Sequence, residues 1–214
     1  MTVVGILAAA GSGERLGAGG PKALVTCAGR PLMDWSLDVL RETCDRVVVA
    51  MPPGYERGPD QVGGAASRSG SVRAALEAAP EAEVAVVHDA ARPLVTLSLV
   101  HACVAALEDG YAGAVAAAAV TDTVKEADVD GRVLRTLERS RLWAVQTPQA
   151  FRADALRGAL DVADAVLAAA TDDASLVEAV GGVVRIVEAP RENLKVTTEA
   201  DLRAAEAALR VRGS

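Results

Sequence analysis

The sequence predicts an α/β protein, a mostly parallel sheet with helices on both faces, and two observations carry that prediction. Short runs rich in β-branched residues alternate with longer segments of helical period through most of the 214 residues. The first run breaks at once into glycines, as a strand does when it feeds a ligand-binding loop. A single region departs from the alternation and predicts a projecting β-hairpin arm.

The elements follow in order. Residues 3–9 form an apolar run that reads as a strand, and 46–51, 83–88, 113–120 and 183–187 are further short candidate strands. Helical periodicity covers 32–40, 71–79, 97–107, 153–169, 172–180 and 198–209. Residues 51–64, beginning Met51-Pro52-Pro53-Gly54, read as a loop, and 64–71 as small polar residues that open a helix and could offer backbone donors to a ligand. In a Rossmann-like sheet of this kind, ligands sit at the carboxyl ends of strands near a topological switch point. Both the glycine loop and His88-Asp89 fall at such ends. Residues 121–136 hold Thr123-Val124-Lys125, an Asp130-Gly131 turn and Arg132 to Thr136, the signature of a hairpin. Two strands alone are marginal in water, so the hairpin should pack on something. A second subunit and its own domain are both candidates, and we read it as a dimerisation arm at about 121–140 that docks on a second subunit, on a single domain spanning 1–214.

Composition bounds the function. With 51% hydrophobic and 24% charged residues the chain is globular, and a net charge of −7 argues against a nucleic-acid polymer as partner. Two Trp, two Tyr and one Phe leave little for base recognition by stacking. Cys27, Cys44 and Cys103 are odd in number and widely spaced, which points to free thiols rather than to a disulfide framework or a zinc site. The first apolar run lacks a basic leader and is too short to span a bilayer, so a cytoplasmic protein is expected.

The loop after the first strand carries the chemistry. Gly11 and Gly13 allow φ > 0 and close backbone approach to a polyanion, while Arg15 and Lys22 supply fixed cations for a triphosphate. A dinucleotide fingerprint fails because its third glycine position is Leu16, and a Walker A loop fails because Ala23 follows Lys22. Asp89, at the end of its strand, could position a metal or a substrate hydroxyl, although a turn residue would look the same. Arg92 reads equally as a surface cation, and His88 as a hydrogen-bonded structural histidine. Arg139 and Arg141 arrive where the hairpin returns, beside Gln146-Thr147-Pro148-Gln149. Thr171-Asp172-Asp173 looks like a helix start with Thr171 as the candidate cap and acids in the first turn, and Asn193-Leu194-Lys195 precedes the last helix.

Taken together, these segments resemble those of the 2-C-methyl-D-erythritol 4-phosphate cytidylyltransferase family over residues 3–210. The segments are Ala8 to Arg15 with Pro21-Lys22, Arg68 with Ser71-Val72, His88 to Pro93, Asp122 to Lys125, Glu138-Arg139, Gln146 to Gln149, Thr171 to Ser175 and Asn193 to Thr197. The resemblance implies transfer of CMP from CTP to 2-C-methyl-D-erythritol 4-phosphate with release of pyrophosphate in the non-mevalonate isoprenoid pathway, Mg²⁺ as cofactor, and a homodimer. It implies that Arg15 and Lys22 stabilise the reacting α-phosphorus, and that Arg139 and Lys195 orient the acceptor phosphate. Ala8, Ala9, Ala10, Gly11, Ser12, Gly13, Arg68, Ser71 and Asp89 would hold the nucleotide. Asp89, Arg92, Thr123, Thr147 and Thr171 would line the acceptor site, with Arg92, Thr123 and Arg139 at the subunit boundary. Protein ligands for the metal are not indicated. Ala23 and Leu24 stand where many members have glutamine and an aromatic residue, and Arg141 where a small residue is common. Ribitol 5-phosphate cytidylyltransferases share most of the motifs, and a nucleotide-binding module without catalysis would share the scaffold. Retention of Arg15, Lys22, Arg139 and Lys195 together speaks against the latter.

Overall fold

A computed structural model describes residues 1–11, 13 and 20–212. Seven strands form one sheet: β1 (Val3–Ala8), β4 (Arg46–Met51), β5 (Gln61–Gly63), β6 (Val84–Asp89), β7 (Gly113–Ala119), β10 (Trp143–Arg152) and β11 (Val184–Glu188). Their spatial order is β11-β7-β10-β6-β1-β4-β5. All neighbours run parallel except β10, which is antiparallel to β6 and β7. Small antiparallel pairs lie outside the sheet: β2 (Thr26–Cys27) with β3 (Arg30–Pro31), and β8 (Lys125–Ala127) with β9 (Val133–Thr136).

The helices are α1 (Leu32–Thr43), α2 (Arg68–Glu77), α3 (Leu97–Ala105), α4 (Ala153–Leu160), α5 (Asp164–Ala169), α6 (Asp173–Ala179) and α7 (Glu199–Arg212). Strand side chains alternate between the two faces. Val4, Ile6, Val48 and Val87 meet Val72 and Leu76 of α2, Leu156 and Leu160 of α4, Leu167 of α5 and Leu176 of α6. On the other face Leu7, Val47, Val49 and Val86 meet Leu37 and Leu40 of α1 and Leu99, Val100 and Cys103 of α3. A third cluster, around Cys27, Leu32, Leu94 and Val196, receives Ala205 and Leu209 of α7. None of the described helices is long and apolar enough to cross a membrane.

Three elements differ from the sequence expectation. First, β10 occupies the centre of the sheet, although its polar residues Gln146, Thr147 and Gln149 argue for a turn; all three are buried and hydrogen-bonded, which is what allows a strand to bury them. Second, the expected helix over 153–169 breaks into α4 and α5. Asp161 leaves helical geometry, and Arg73 of α2 takes up the freed Val162 carbonyl at 3.1 Å and the Asp164 carboxylate at 2.5 Å. Third, the turn-rich 51–64 stretch ends in the edge strand β5. The hairpin forms as expected, with Gly131 at φ 82° in the turn.

The chain runs from β1 outward through β4 and β5 and then returns to β6 on the other side of β1, so the switch point lies between β1 and β6. Ala8 and Asp89 are register partners there, and the Ala90 amide donates to the Ala8 carbonyl at 3.1 Å. The glycine loop and the Asp89-Arg92 turn therefore leave the sheet side by side.

Candidate active site

Two cavities open at this switch point. The first, of about 380 Å³, is lined by Ala8, Ala9, Ala10 and Gly11 after β1, by Lys22, by Ala65 to Arg68 and Ser71, and by Asp89 and Lys195. The second, of about 480 Å³, is lined by Arg92, Gln146, Thr147, Gln149, Thr171, Asp172 and Ser175, with Val145 and Ile186 on one side. Arg68, Asp89 and Lys195 belong to both. They form the wall between the two cavities.

The first cavity is shaped by close backbone approach. Gly13 sits at φ 74°, and a Cβ there would lie 2.8 Å from Lys22 Cβ, so only glycine lets the chain pass the lysine. A Cβ on Gly64 would meet Ala10 Cβ at 2.3 Å. The second strand-end loop is pinned by Ser71, whose hydroxyl accepts from the Ala65 amide at 3.0 Å and donates to the Ser67 carbonyl at 2.9 Å. Ser67 caps α2 by accepting from Gly70 N. The result is a pocket of alanine walls, backbone groups and cations, with no aromatic lining among the described residues. Arg15 and Ser12 lie outside the described residues.

In the dividing wall, Arg68 projects from the first turn of α2. Its Nε donates to Asp89 Oδ1 at 2.8 Å and its terminal nitrogen to Asp173 Oδ2 at 2.5 Å. Lys195 Nζ reaches the other Asp89 oxygen at 2.8 Å, and Arg92 Nε lies 4.0 Å from it. Burial alone would raise the Asp89 carboxyl, but Arg68 and Lys195 outweigh it and hold the group far below the usual carboxylate range. Burial likewise lowers Arg92, whose Nε has no hydrogen-bond partner among the described residues. Both Asp89 oxygens are thus engaged by cations, and no group of three His, Cys, Asp or Glu among the described residues could hold a metal. The chain does not fit the part of a metal cage here.

Thr147 lines the second cavity and is also tied into the wall beneath Asp89. It is 3% exposed; its oxygen accepts from the Asp89 amide at 3.0 Å and donates to His88 Nδ1 at 3.0 Å. His88 Nε2 in turn faces the Arg92 carbonyl at 3.2 Å, which fixes the tautomer with hydrogen on Nε2. Thr147 therefore braces Asp89 from below. With both ring nitrogens occupied and burial pushing its pKa down to about 4, His88 does not act as a general base. Because the native histidine stays neutral where an unfolded one would protonate near pH 6.5, the unfolded state binds more protons in that window. Stability should therefore be flat above pH 6.5 and fall toward pH 4, by at most ~1.4 kcal/mol per pH unit from this group. Urea unfolding across that range checks it, and His88→Gln should remove this component of the slope.

The remaining expected residues divide. Arg92 anchors on the Asn193 carbonyl at 2.8 Å, and Thr171 is exposed at the second cavity. Thr123 and Arg139 line neither cavity; Arg139 is exposed and donates to the Thr121 carbonyl at 2.6 Å at the foot of the hairpin. The cap of α6 is Asp172 rather than Thr171. Sequence reasoning gave no site role to Asp173, Gln149 or Asn193. Asn193 is 1% exposed and its amide donates to Gln146 Oε1 and to the Thr147 carbonyl, holding the Lys195 loop against β10. A doubled acid at a helix start, where a cap needs only one, was the signal for Asp173.

The profile of the 2-C-methyl-D-erythritol 4-phosphate cytidylyltransferase family matches residues 3–211. An enzyme of that name from Frankia casuarinae is 45% identical over 97% of this chain and 81% of its own length. Another from Saccharopolyspora erythraea is 44% identical over 98% of this chain and its full length. The crystal structure of the enzyme of that name from Thermus thermophilus superposes with a TM-score of 0.83 at 36% identity, covering 98% of this chain and 100% of that one.

Proposed function

Because the chain belongs to the 2-C-methyl-D-erythritol 4-phosphate cytidylyltransferase family, we propose that it transfers CMP from CTP to 2-C-methyl-D-erythritol 4-phosphate, releasing pyrophosphate in isoprenoid precursor synthesis. The observation that carries the reading is the shared wall: two cavities of unlike chemistry meet at Arg68, Asp89 and Lys195. Alanine walls and backbone groups suit cytosine and ribose in the first cavity. Hydroxyls, amides and Arg92 suit a polyol phosphate in the second.

An oxygen of the acceptor phosphate attacks the α-phosphorus of CTP, the bond to the bridging oxygen breaks, and pyrophosphate leaves with that electron pair. A phosphate monoester is already a nucleophile at neutral pH, so no proton need be removed and the buried His88 is not required. The chain's task is to cancel repulsion between two anions and align them. Lys22 and Arg15 are assigned to the α-phosphorus and the leaving group, and Lys195 and Arg139 to the acceptor phosphate. Mg²⁺ is the ion we assign, carried by the CTP phosphates as part of the substrate, where it neutralises charge. The protein acts in the cytoplasm as a single-domain subunit of a homodimer. Arg139 and Thr123 serve the partner's acceptor cavity, a reading supported by their lining neither cavity of their own chain.

Lys195→Ala and Arg139→Ala should each raise KM for the alcohol phosphate about tenfold or more, the scale of one charge-assisted hydrogen bond to a phosphate. CTP affinity should change little. Calorimetric titration with CTP and Mg²⁺, beside steady-state kinetics on the acceptor, checks the assignment; a matching loss of nucleotide binding would move these cations to the other cavity.

A further inference from the structure

Asp173 is a buried carboxylate at the edge of the site that its own helix does not use as a cap. It is the first residue of α6 and fully buried, yet the capping of that helix is done by Asp172, whose Oδ1 accepts from Ser175 N at 3.0 Å. One Asp173 oxygen has no hydrogen-bond partner among the described residues. A buried carboxylate left half satisfied is poor packing and weak grounds for stability, since an apolar residue of similar volume would often serve the fold as well. Its side chain's one polar interaction among the described residues is the 2.5 Å pair with Arg68.

That pair is the end of a row: Asp173, Arg68, Asp89, Lys195. Asp173 fixes a terminal nitrogen of Arg68, so that Arg68 approaches Asp89 only through Nε, on Oδ1. The other Asp89 oxygen is thereby left to Lys195. Without Asp173 the guanidinium would be free to turn and present two nitrogens to the Asp89 carboxylate, the geometry such pairs favour, in competition with Lys195 for Oδ2. We propose that Asp173 is a positioning residue for the acceptor phosphate: by holding Arg68 edge-on to Asp89 it reserves Oδ2 for Lys195 and fixes that ammonium at the wall between the cavities. This rests on the reading of the second cavity as the acceptor site.

Asp173→Asn keeps shape and removes the charge. We expect KM for the alcohol phosphate to rise about five- to tenfold, with the Kd for CTP changed less than twofold, and Asp173→Glu to recover part of the loss. Because Asp173 acts through Lys195, adding Asp173→Asn to Lys195→Ala should change acceptor KM less than twofold. A purely structural residue would lower the melting temperature in both backgrounds and reduce the active fraction without moving KM. Should the Asn variant not fold, the smaller Asp173→Ser carries the same comparison. An unchanged acceptor KM, an equal loss of CTP binding, or a defect that multiplies that of Lys195→Ala would overturn the inference. A Lys195→Ala enzyme with native acceptor KM would instead overturn the cavity assignment on which it rests.

Discussion

Lys22→Ala should lower kcat by about 10²–10³, the scale seen when one preorganised charge stabiliser is removed from a developing anion. Lys22 opens the short 3-10 turn Lys22–Leu24 beside the first cavity, and its amide donates to the Gly11 carbonyl at 3.3 Å. The backbone of the loop is thus held independently of the ammonium, so truncation should leave the fold intact. Arg15→Ala should act similarly if the two cations share the α-phosphorus and leaving group. Steady-state turnover at saturating CTP and acceptor measures both, and near-native kcat in either variant would remove that residue from the transition state.

Deleting residues 122–136 and joining the ends should give a monomer with little activity. In the hairpin all four residues of β9 are exposed, and Val129, Val133 and Leu134 present apolar side chains to solvent at 102%, 55% and 59%. Among the described residues its strands pair only with each other. A two-stranded ribbon of this kind is marginal by itself, and an apolar tip needs a surface to cover it. In the proposed homodimer a second subunit would provide that surface, and the same docking would carry Thr123 and Arg139 to the acceptor cavity they do not line in their own chain. Sedimentation of the native protein and the deletion, each assayed in parallel, decides the point. An active monomer in either case would eliminate the shared site.

The parts of the fold that were legible in the sequence are those governed by local pattern. Val4, Ile6, Leu7 and Val84 to Val87 form continuous apolar runs because strands covered by helices on both sides have no wet face. The Asp130-Gly131 turn announced the hairpin for an equally local reason. β10 was not legible because Gln146, Thr147 and Gln149 are polar in isolation, and their burial is made tolerable by distant partners: Pro190 and Asn193 for Gln146, His88 for Thr147, and Asp172 for Gln149. The break between α4 and α5 depends in the same way on Arg73, a residue of another helix.

The site shows the same division. Glycine spacing and the strand-end position of Asp89 are local signals, and both point to the end of the sheet where the first cavity opens. The pairing of Arg68 with both Asp89 and Asp173 spans 105 residues and carries no local signature. The hydrogen bonds that tie Thr147 to the Asp89 amide and to His88 likewise join residues 58 and 59 positions apart. Direction of a side chain relative to the sheet is decided by register, and the register shift in β10 between Val145 and Gln149 lies outside what spacing predicts.

The most direct test is the release of pyrophosphate from CTP and Mg²⁺ by the full chain, measured with 2-C-methyl-D-erythritol 4-phosphate and with ribitol 5-phosphate as acceptors. The account predicts stoichiometric pyrophosphate and CDP-alcohol with the methylerythritol phosphate, and kcat/KM for it well above that for the ribitol phosphate. Equal or greater efficiency with ribitol 5-phosphate, or CTP binding without pyrophosphate release in the presence of either acceptor, would contradict it.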